Sequence, residues 1–539
     1  MGKYVGIDLG TTFSVVAVID EKGNPQVLQN KEGGRTTPSV VIFGGKTPVV
    51  GEAAKEKSIA DPSNYEAFVK RHMGEKTYSF TSKNGETFRA EEISALILSK
   101  LKRDAEEAMG DTIEGAVITV PAYFADPQRQ ATQDAATAAG IPVIGMINEP
   151  TAAAIAFGIT KSSAKAQTVM IYDFGGGTFD VSILNIDEEN ITVLATNGNH
   201  QLGGYDLDMA IYNYVIARAR EKGVDIEQDP RAAQSLKIAA EKAKKSLSST
   251  DEAEICVYVK GEPFSLFIDR ETFEKITESI IDSTLNIMQI TMDEAGLEYT
   301  AIDKILLVGG STRIPVIKKL IEEETGIIPS SEVHPDEAVA IGAAYHAVDA
   351  IRKMAEEREK LPIETKGGEA RKKEAVTESW SNVHVDENVL PPDLKVPEFQ
   401  DVTSHAIGVV VYDEEREKDV NSIIMEKNTP IPAEYEEYYT TMRPYQEEIE
   451  LSVTSGEYED LDYVTIIGNA VMKVRPRENK VPIKVIVSCD RNAILHVRAV
   501  DMDALEDLGE ITINREAHNM TEEEVKQATR RIHQLNIGK

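Results

Sequence analysis

Over the first 350 positions the apolar residues fall into two textures. Short β-rich runs, including Tyr4-Val-Gly-Ile7, Phe13-Ser-Val-Val-Ala-Val18, Ser39-Val-Val-Ile-Phe43, Val117-Ile-Thr-Val120 and Leu306-Leu-Val308, read as strands with buried faces. Between them lie Ala-rich stretches with helical character: Asp126 is the expected N-cap, with Pro127 at the first helical position, of a helix through Ala139, and Asn148-Glu-Pro-Thr151 precedes a second. Alternating strands and helices predict an α/β unit. From Asp401 the texture changes to short β-rich runs at regular intervals: Ile407-Gly-Val-Val-Val-Tyr412, Glu448-Ile-Glu-Leu-Ser-Val453, Ile483-Lys-Val-Ile-Val-Ser488 and Ile494-Leu-His-Val-Arg-Ala-Val500. That spacing predicts a β-sandwich. Residues 350–398 fit neither pattern, and their Gly-Gly, Pro-Pro, charges and single tryptophan, Trp380, read as a linker. Thr521-Glu-Glu-Glu524 is a capping box that opens a short final helix.

Two stretches repeat one scheme, and they carry the chemistry. In Ile171-Tyr-Asp-Phe-Gly-Gly-Gly-Thr-Phe-Asp-Val-Ser-Ile-Leu184 and in Tyr4-Val-Gly-Ile-Asp-Leu-Gly-Thr-Thr-Phe-Ser-Val-Val-Ala-Val18, an apolar run with an aspartate meets a glycine turn and a second apolar run. Each reads as a hairpin whose tip can press bare backbone against phosphate, with Asp8, Asp173 and Asp180 suited to a hard cation. Two matching hairpins imply a duplicated fold with a triphosphate in the cleft between lobes. Leu306-Leu-Val-Gly-Gly-Ser-Thr-Arg-Ile-Pro315 adds a strand, a glycine turn and a helix start that suit close approach of adenosine. Gly44-Gly-Lys-Thr47 is not a P-loop, because Val40 stands where the first glycine is required.

Ile7-Asp-Leu-Gly-Thr-Thr12, Asn148-Glu-Pro-Thr-Ala-Ala-Ala154, Asp173-Phe-Gly-Gly-Gly-Thr-Phe-Asp180 and Val308-Gly-Gly-Ser-Thr-Arg313 together resemble the signatures of the heat-shock protein family of seventy kilodaltons, the DnaK-type ATP-driven chaperones. The resemblance implies an actin-like, ribonuclease H-like ATPase domain of two lobes over residues 1–350. It further implies a charged linker over 351–400, a β-sandwich peptide-binding domain over 401–515 and a short C-terminal helix over 516–539 without the helical lid. The implied cofactors are ATP or ADP and Mg²⁺, with K⁺ as a further candidate. Lys70 would neutralise charge on the transferred phosphoryl group and Glu149 would orient the attacking water. Asp8, Asp173 and Thr178 complete the catalytic set, the two aspartates holding the metal mainly through water. Gly10, Thr11, Thr12 and Phe13 from one turn, and Gly175, Gly176, Gly177 and Thr178 from the other, would line the phosphates. Glu241, Lys244, Lys245 and Ser248 would grip adenosine from the opposite lobe, with Gly309, Gly310, Ser311, Arg313 and Asp336 on the other side.

The second unit resembles the family's peptide-binding domain through Asp401-Val-Thr403, Lys427-Asn-Thr429 and Ile494-Leu-His-Val497. By position, Val409, Tyr412, Tyr439, Met442 and Ile449 would line a groove for extended apolar peptide. Extended or unfolded polypeptide and a nucleotide-exchange factor are the implied partners. Gly145, where members that contact a J-domain co-chaperone carry an arginine, leaves that partnership open. Pro397-Glu-Phe-Gln400 replaces the usual apolar linker, and predicts weak coupling between the two units.

Charge and cysteine content narrow the alternatives. A formal net charge of -33, from 58 basic and 91 acidic residues, disfavours nucleic acid and anionic membrane as partners. Cys256 and Cys489 lie far apart without a CxxC spacing, so neither a disulfide framework nor a zinc site is expected, and each reads as a small buried hydrophobe. No signal segment opens the chain and no apolar run reaches 18 residues, so the expected location is the cytoplasm. The leading expectation is an ATP-hydrolysing chaperone. A nucleotide-gated regulatory or assembly protein with one dedicated partner is the alternative, and an actin-like small-molecule kinase is a third class that the sandwich disfavours.

Overall fold

The computed structural model of the chain describes residues 3–45, 47–160, 165–360, 394–512 and 519–535, with the short stretches 363–366 and 369–372 and Pro391. Trp380 and the rest of residues 373–390 of the expected linker lie outside the described residues.

Two sheets built on one plan form the first part of the molecule. In the first, β1 (Lys3–Asp8), β2 (Phe13–Ile19), β3 (Pro25–Val27), β4 (Ile113–Val120) and β5 (Val143–Asn148) run in the order β5-β4-β1-β2-β3, with Thr37–Pro38 pairing off β2. In the second, β6 (Gln167–Phe174), β7 (Phe179–Ile186), β8 (Asn190–Asn199) and β9 (Lys304–Val308) run in the order β9-β6-β7-β8. Each sheet therefore starts from an antiparallel hairpin, β1–β2 or β6–β7, whose first strand takes a parallel neighbour, β4 or β9. These strands are covered on both faces, which is why they read as continuous apolar runs rather than as alternation.

The helices that bear on the site are α1 (Ala90–Met109), α2 (Asp126–Ala138), α3 (Glu149–Thr160), α4 (Gly204–Glu221), α5 (Pro230–Leu247), α6 (Arg270–Ala295) and α7 (Ala338–Lys360). Helices α3 and α7 fill the space between the sheets, where Ala152, Ala153, Ala340, Ala343 and Ala344 are buried. Small residues bring them close: a Cβ on Gly342 would lie 1.7 Å from the carbonyl oxygen of Ala152. Helix α2 differs from expectation by one position. Ala125 is its N-cap and Asp126 its first residue, because the Asp126 carboxylate is used elsewhere, accepting the backbone N–H of Leu495 at 3.3 Å.

The linker also departs from expectation. Glu398–Gln400 forms β10, which adds to the second sheet in parallel with β8 through Asn190↔Glu398, Ile191↔Phe399 and Thr192↔Gln400. Leu394, Val396 and Phe399 pack against the α3–α7 core, and the His346 ring meets Phe399 edge-on at 4.7 Å. The apolar docking segment expected to be missing is therefore present, spread over six residues and interrupted by Lys395, Pro397 and Glu398.

Beyond it, two four-stranded antiparallel sheets share one core. β11 (Ile407–Asp413), β12 (Lys418–Met425), β14 (Glu448–Ser455) and β15 (Thr465–Lys473) run in the order β12-β11-β14-β15. β13 (Ala433–Thr440), β16 (Pro482–Cys489), β17 (Leu495–Asp501) and β18 (Glu506–Thr512) follow chain order in the other sheet. Val409, Met425, Val453, Ile467, Val485, Val487 and Val497 meet between the two sheets. Cys489 is buried as expected, but Cys256 is exposed, because it lies on the outer face of the Glu252–Val259 strand whose alternate residues point inward. The chain ends in α8 (Glu522–Gln534), opened by the Thr521–Glu524 capping box. Its Val525, Ala528 and Ile532 enter the core formed by α1, α2 and the first sheet.

Candidate functional site

The glycine turns at the tips of β1–β2 and β6–β7 face each other across a cavity of about 440 Å³. Asp8, Gly10, Thr11, Thr12 and Phe13 line it from one side, and Asp173, Gly175, Gly176 and Thr178 from the other. Close approach explains the glycines: a Cβ on Gly176 would stand 1.7 Å from the Thr12 hydroxyl oxygen, and one on Gly177 would stand 2.3 Å from a Thr11 methyl. Gly177 does not reach the cavity wall, and its backbone instead packs against Gly203. The turn is braced by the N–H groups of Gly204 and Tyr205, which donate to the carbonyls of Gly175 (3.0 Å) and Gly176 (2.8 Å), and by the Ser311 hydroxyl on Gly175 O (2.9 Å).

Between the two glycine turns the charge is mainly acidic. Lys70, in a 3₁₀ turn, is 4% exposed and donates to Glu149 Oε1 at 2.5 Å from the first residue of α3. Burial and the nearby Glu149 charge push the Asp8 carboxyl up to about 7, with Lys70 and the Thr119 hydroxyl opposing. Asp173 is held well above the usual carboxylate range by burial and then by Glu149, Asp180 and Asp8. Four acidic side chains thus surround one lysine, and a divalent cation would relieve both burial and repulsion. The donor set and the glycine-lined walls therefore fit a metal-bound polyphosphate. Asp180, opposite Asp173 in the ladder, was expected at the mouth. It is buried, accepts the Tyr123 N–H at 3.0 Å and does not line the cavity.

The cavity is also lined by the residues expected to hold adenosine. Glu241, Lys244, Lys245 and Ser248, at the end of α5, form one wall, and Gly309, Gly310, Ser311, Arg313 and Asp336 form the opposite one. Gly309 has φ 80°, a left-handed conformation that favours glycine, and Arg313 pairs with Asp336 at 2.6 Å. Lys244 donates to Gly204 O at 2.7 Å and pairs with Asp208 at 2.9 Å.

Two further residues, Lys55 beside the cavity and Phe68 in its wall, carry no local signature. Lys55 reaches across from the first lobe to Glu241 at 2.6 Å, and Lys245 takes the other oxygen at 2.6 Å. Burial would raise the Glu241 pKa, but the Lys55 and Lys245 charges outweigh it and hold the group down at about 2. Phe68, held at φ 60°, lines the cavity and meets the Tyr205 ring of α4 at a 49° tilt, centroids 4.4 Å apart.

The five expected groove residues are not gathered in the same way. Val409 is fully buried in the sandwich core, whereas Tyr412, an odd number of positions along the same strand, is 43% exposed. Tyr439 and Ile449 pack partly against that core, the Tyr439 hydroxyl 2.9 Å from Ser422 Oγ, and Met442 is 62% exposed.

A model of the Hsp70 protein family matches residues 4–361 and 383–536, leaving out a stretch inside the linker. Its members are ATPases and ATP-dependent chaperones that bind polypeptides. With both lobes, the sandwich and α8 inside the matched span, the chain belongs to the Hsp70 family.

Proposed function

We propose that this chain hydrolyses ATP in the interlobe cleft and uses the nucleotide state to control binding of extended polypeptide by the sandwich. The observation that carries this reading is the convergence of Asp8, Lys70, Glu149 and Asp173 on one cavity of about 440 Å³ between two glycine turns, which Glu241, Lys244, Ser248, Gly309 and Arg313 also line. When bound, Mg²⁺ would offset phosphate charge, with Asp8 and Asp173 as the residues that hold it. Backbone N–H groups of Gly10, Thr11, Thr12 and Gly176 would turn to the phosphates, while the Gly175 N–H closes its own turn on Thr178 O at 3.0 Å. Lys70 is placed to stabilise charge on the transferred group, and Glu149, 2.5 Å from its ammonium, is placed to orient water. Extended polypeptide and a nucleotide-exchange factor are the partners this reading calls for. The two unpaired cysteines support a reducing, cytoplasmic setting.

Single-turnover hydrolysis and nucleotide binding, measured side by side on Lys70→Ala, test the chemistry. The expected result is a loss of turnover of about a hundredfold or more with nucleotide affinity within about threefold. Asp173→Asn is expected to slow hydrolysis to a similar degree. Turnover of either variant within a factor of about two of the parent would overturn the assignment.

A further inference from the structure

Helix α7 buries one titratable ring at the junction between the two parts of the molecule. His346 is 9% exposed, and the Phe399 ring of β10 closes edge-on over it at 4.7 Å. A Cβ on Gly145 of β5 would lie 3.4 Å from its Nε2, while its Nδ1 has no hydrogen-bond partner among the described residues. A cavity of about 400 Å³ runs alongside. The charged groups that face it are Asp349 and Lys353 of α7, Glu398 of β10, Asp401 just beyond that strand, and Arg491 of the sandwich. Strands β5 and β8 contribute only the uncharged Ile144, Asn190, Ile191 and Thr192.

None of these groups gives an imidazolium a buried partner of its own. The Asp349 carboxylate lies 4.0 Å from Nδ1 and pairs with Lys353 at 2.9 Å, that of Asp401 accepts Asn148 and Thr151, and Glu398 and Arg491 are exposed. Burial, reinforced by the Lys353 charge, pushes the ring down to about 3 from its ordinary 6.5. Departure of Phe399 would open the ring to the cavity and return it to the ordinary range. The ring thus binds its proton more weakly with β10 docked than with β10 free. Docking is fully favoured above 6.5 and penalised as pH falls from there toward 3. Between pH 7.5 and 5.5 that penalty is about tenfold in the docking equilibrium. Asp126 and Asp401, both raised by burial, act in the opposite direction, so the contribution of the ring is isolated by a variant.

We propose that His346 is an acid-sensitive latch on β10: protonation of its ring releases Phe399, and with it the link between the nucleotide cleft and the sandwich. The test is hydrogen exchange of the full chain without ligand at pH 7.5 and 5.5, corrected for intrinsic rates. The Glu398 N–H, which donates to Glu189 O at 2.7 Å, reports docking of the strand. The ratio of its protection at pH 7.5 to that at pH 5.5 is expected to be at least fivefold larger in the parent than in His346→Gln, whose amide does not titrate. Equal ratios in the two chains would overturn the proposal. If His346→Gln leaves β10 unprotected at both pH values, an NMR titration of the His346 ring decides instead. The ring is expected to titrate at least one pH unit lower in the parent than in Phe399→Ser, and identical titration in the two would overturn the latch. Neither readout calls on hydrolysis or polypeptide binding, so failure here would leave those readings intact.

Discussion

At the scale of single residues, Lys55 and Glu241 span the cleft. One comes from each lobe, their atoms are 2.6 Å apart, and they are 21% and 16% exposed, so the contact is partly shielded from solvent. A charge-assisted contact of this kind contributes roughly 1–2 kcal/mol, and it exists only while the lobes are closed over the cavity. Lys55→Ala is therefore expected to speed nucleotide release by about five- to twentyfold in stopped-flow displacement, with single-turnover hydrolysis unchanged. An unaltered release rate would make the pair a passive surface contact. The clasp also marks the limit of what the sequence reveals. Asp8, Gly10, Asp173 and Gly175 are legible because glycine next to an aspartate-bearing strand is a local pattern with a local physical reason. Lys55 and Glu241 stand 186 positions apart, and nothing near either residue announces the other. Asp180 shows the converse error: a carboxylate in the right local pattern is consumed by the Tyr123 N–H.

At the scale of elements, the final helix and the start of α2 tie distant parts of the chain to the first lobe. Arg531 lies 3.8 Å above the Phe88 ring and pairs with Glu92 at 3.0 Å, while Ile532 is 2% exposed in the core beneath. Replacing Ile532 by Ala is expected to cost about 2–4 kcal/mol, seen as a lower denaturant midpoint for the first lobe, unless the site collapses. Helix α8 was readable from its capping box, but its docking place was not, since an apolar stripe does not name its partner. The α2 end carries a pH dependence. Burial pushes Asp126 up to about 6 where it meets the sandwich, with the Leu495 N–H and the Arg129 charge opposing, and buried Asp401 nearby is also raised by burial. A carboxyl whose pKa is raised on docking binds its proton more tightly docked than free. Docking is therefore favoured as pH falls through about 6 toward the ordinary value of 3.8, and penalised above about 6. Protection of Leu495 from hydrogen exchange should be greater at pH 5 than at pH 8, after correction for intrinsic rates, and Asp126→Asn should flatten the difference.

At the scale of the whole molecule, the question is whether the cleft and the sandwich can sense each other. The sequence hid the means of doing so, because Leu394, Val396 and Phe399 are separated by charged residues and proline and do not form an apolar run. Their spacing of two and then three fits no strict strand period, and only Phe399 lies in β10, half-buried between exposed Glu398 and Gln400. Around it, Asp401 accepts Asn148 Nδ2 at 2.8 Å and Thr151 Oγ1 at 3.1 Å, and Asn492 Oδ1 accepts the Met146 N–H at 3.3 Å. Asn148 directly precedes Glu149, so the sandwich side of the junction is bonded to the residue beside the one assigned to orient water. Coupling requires contacts that differ between nucleotide states, and this junction supplies contacts that undocking would remove together. ATP in place of ADP is therefore expected to shift affinity for a labelled peptide by more than about tenfold, or roughly 1.4 kcal/mol. Phe399→Asp, which sets a charge against His346 and the α3–α7 core, should bring that shift below about threefold without changing nucleotide affinity. Peptide titrations in each nucleotide state decide it, and a parent chain with equal affinities in both would leave β10 as a structural strap alone.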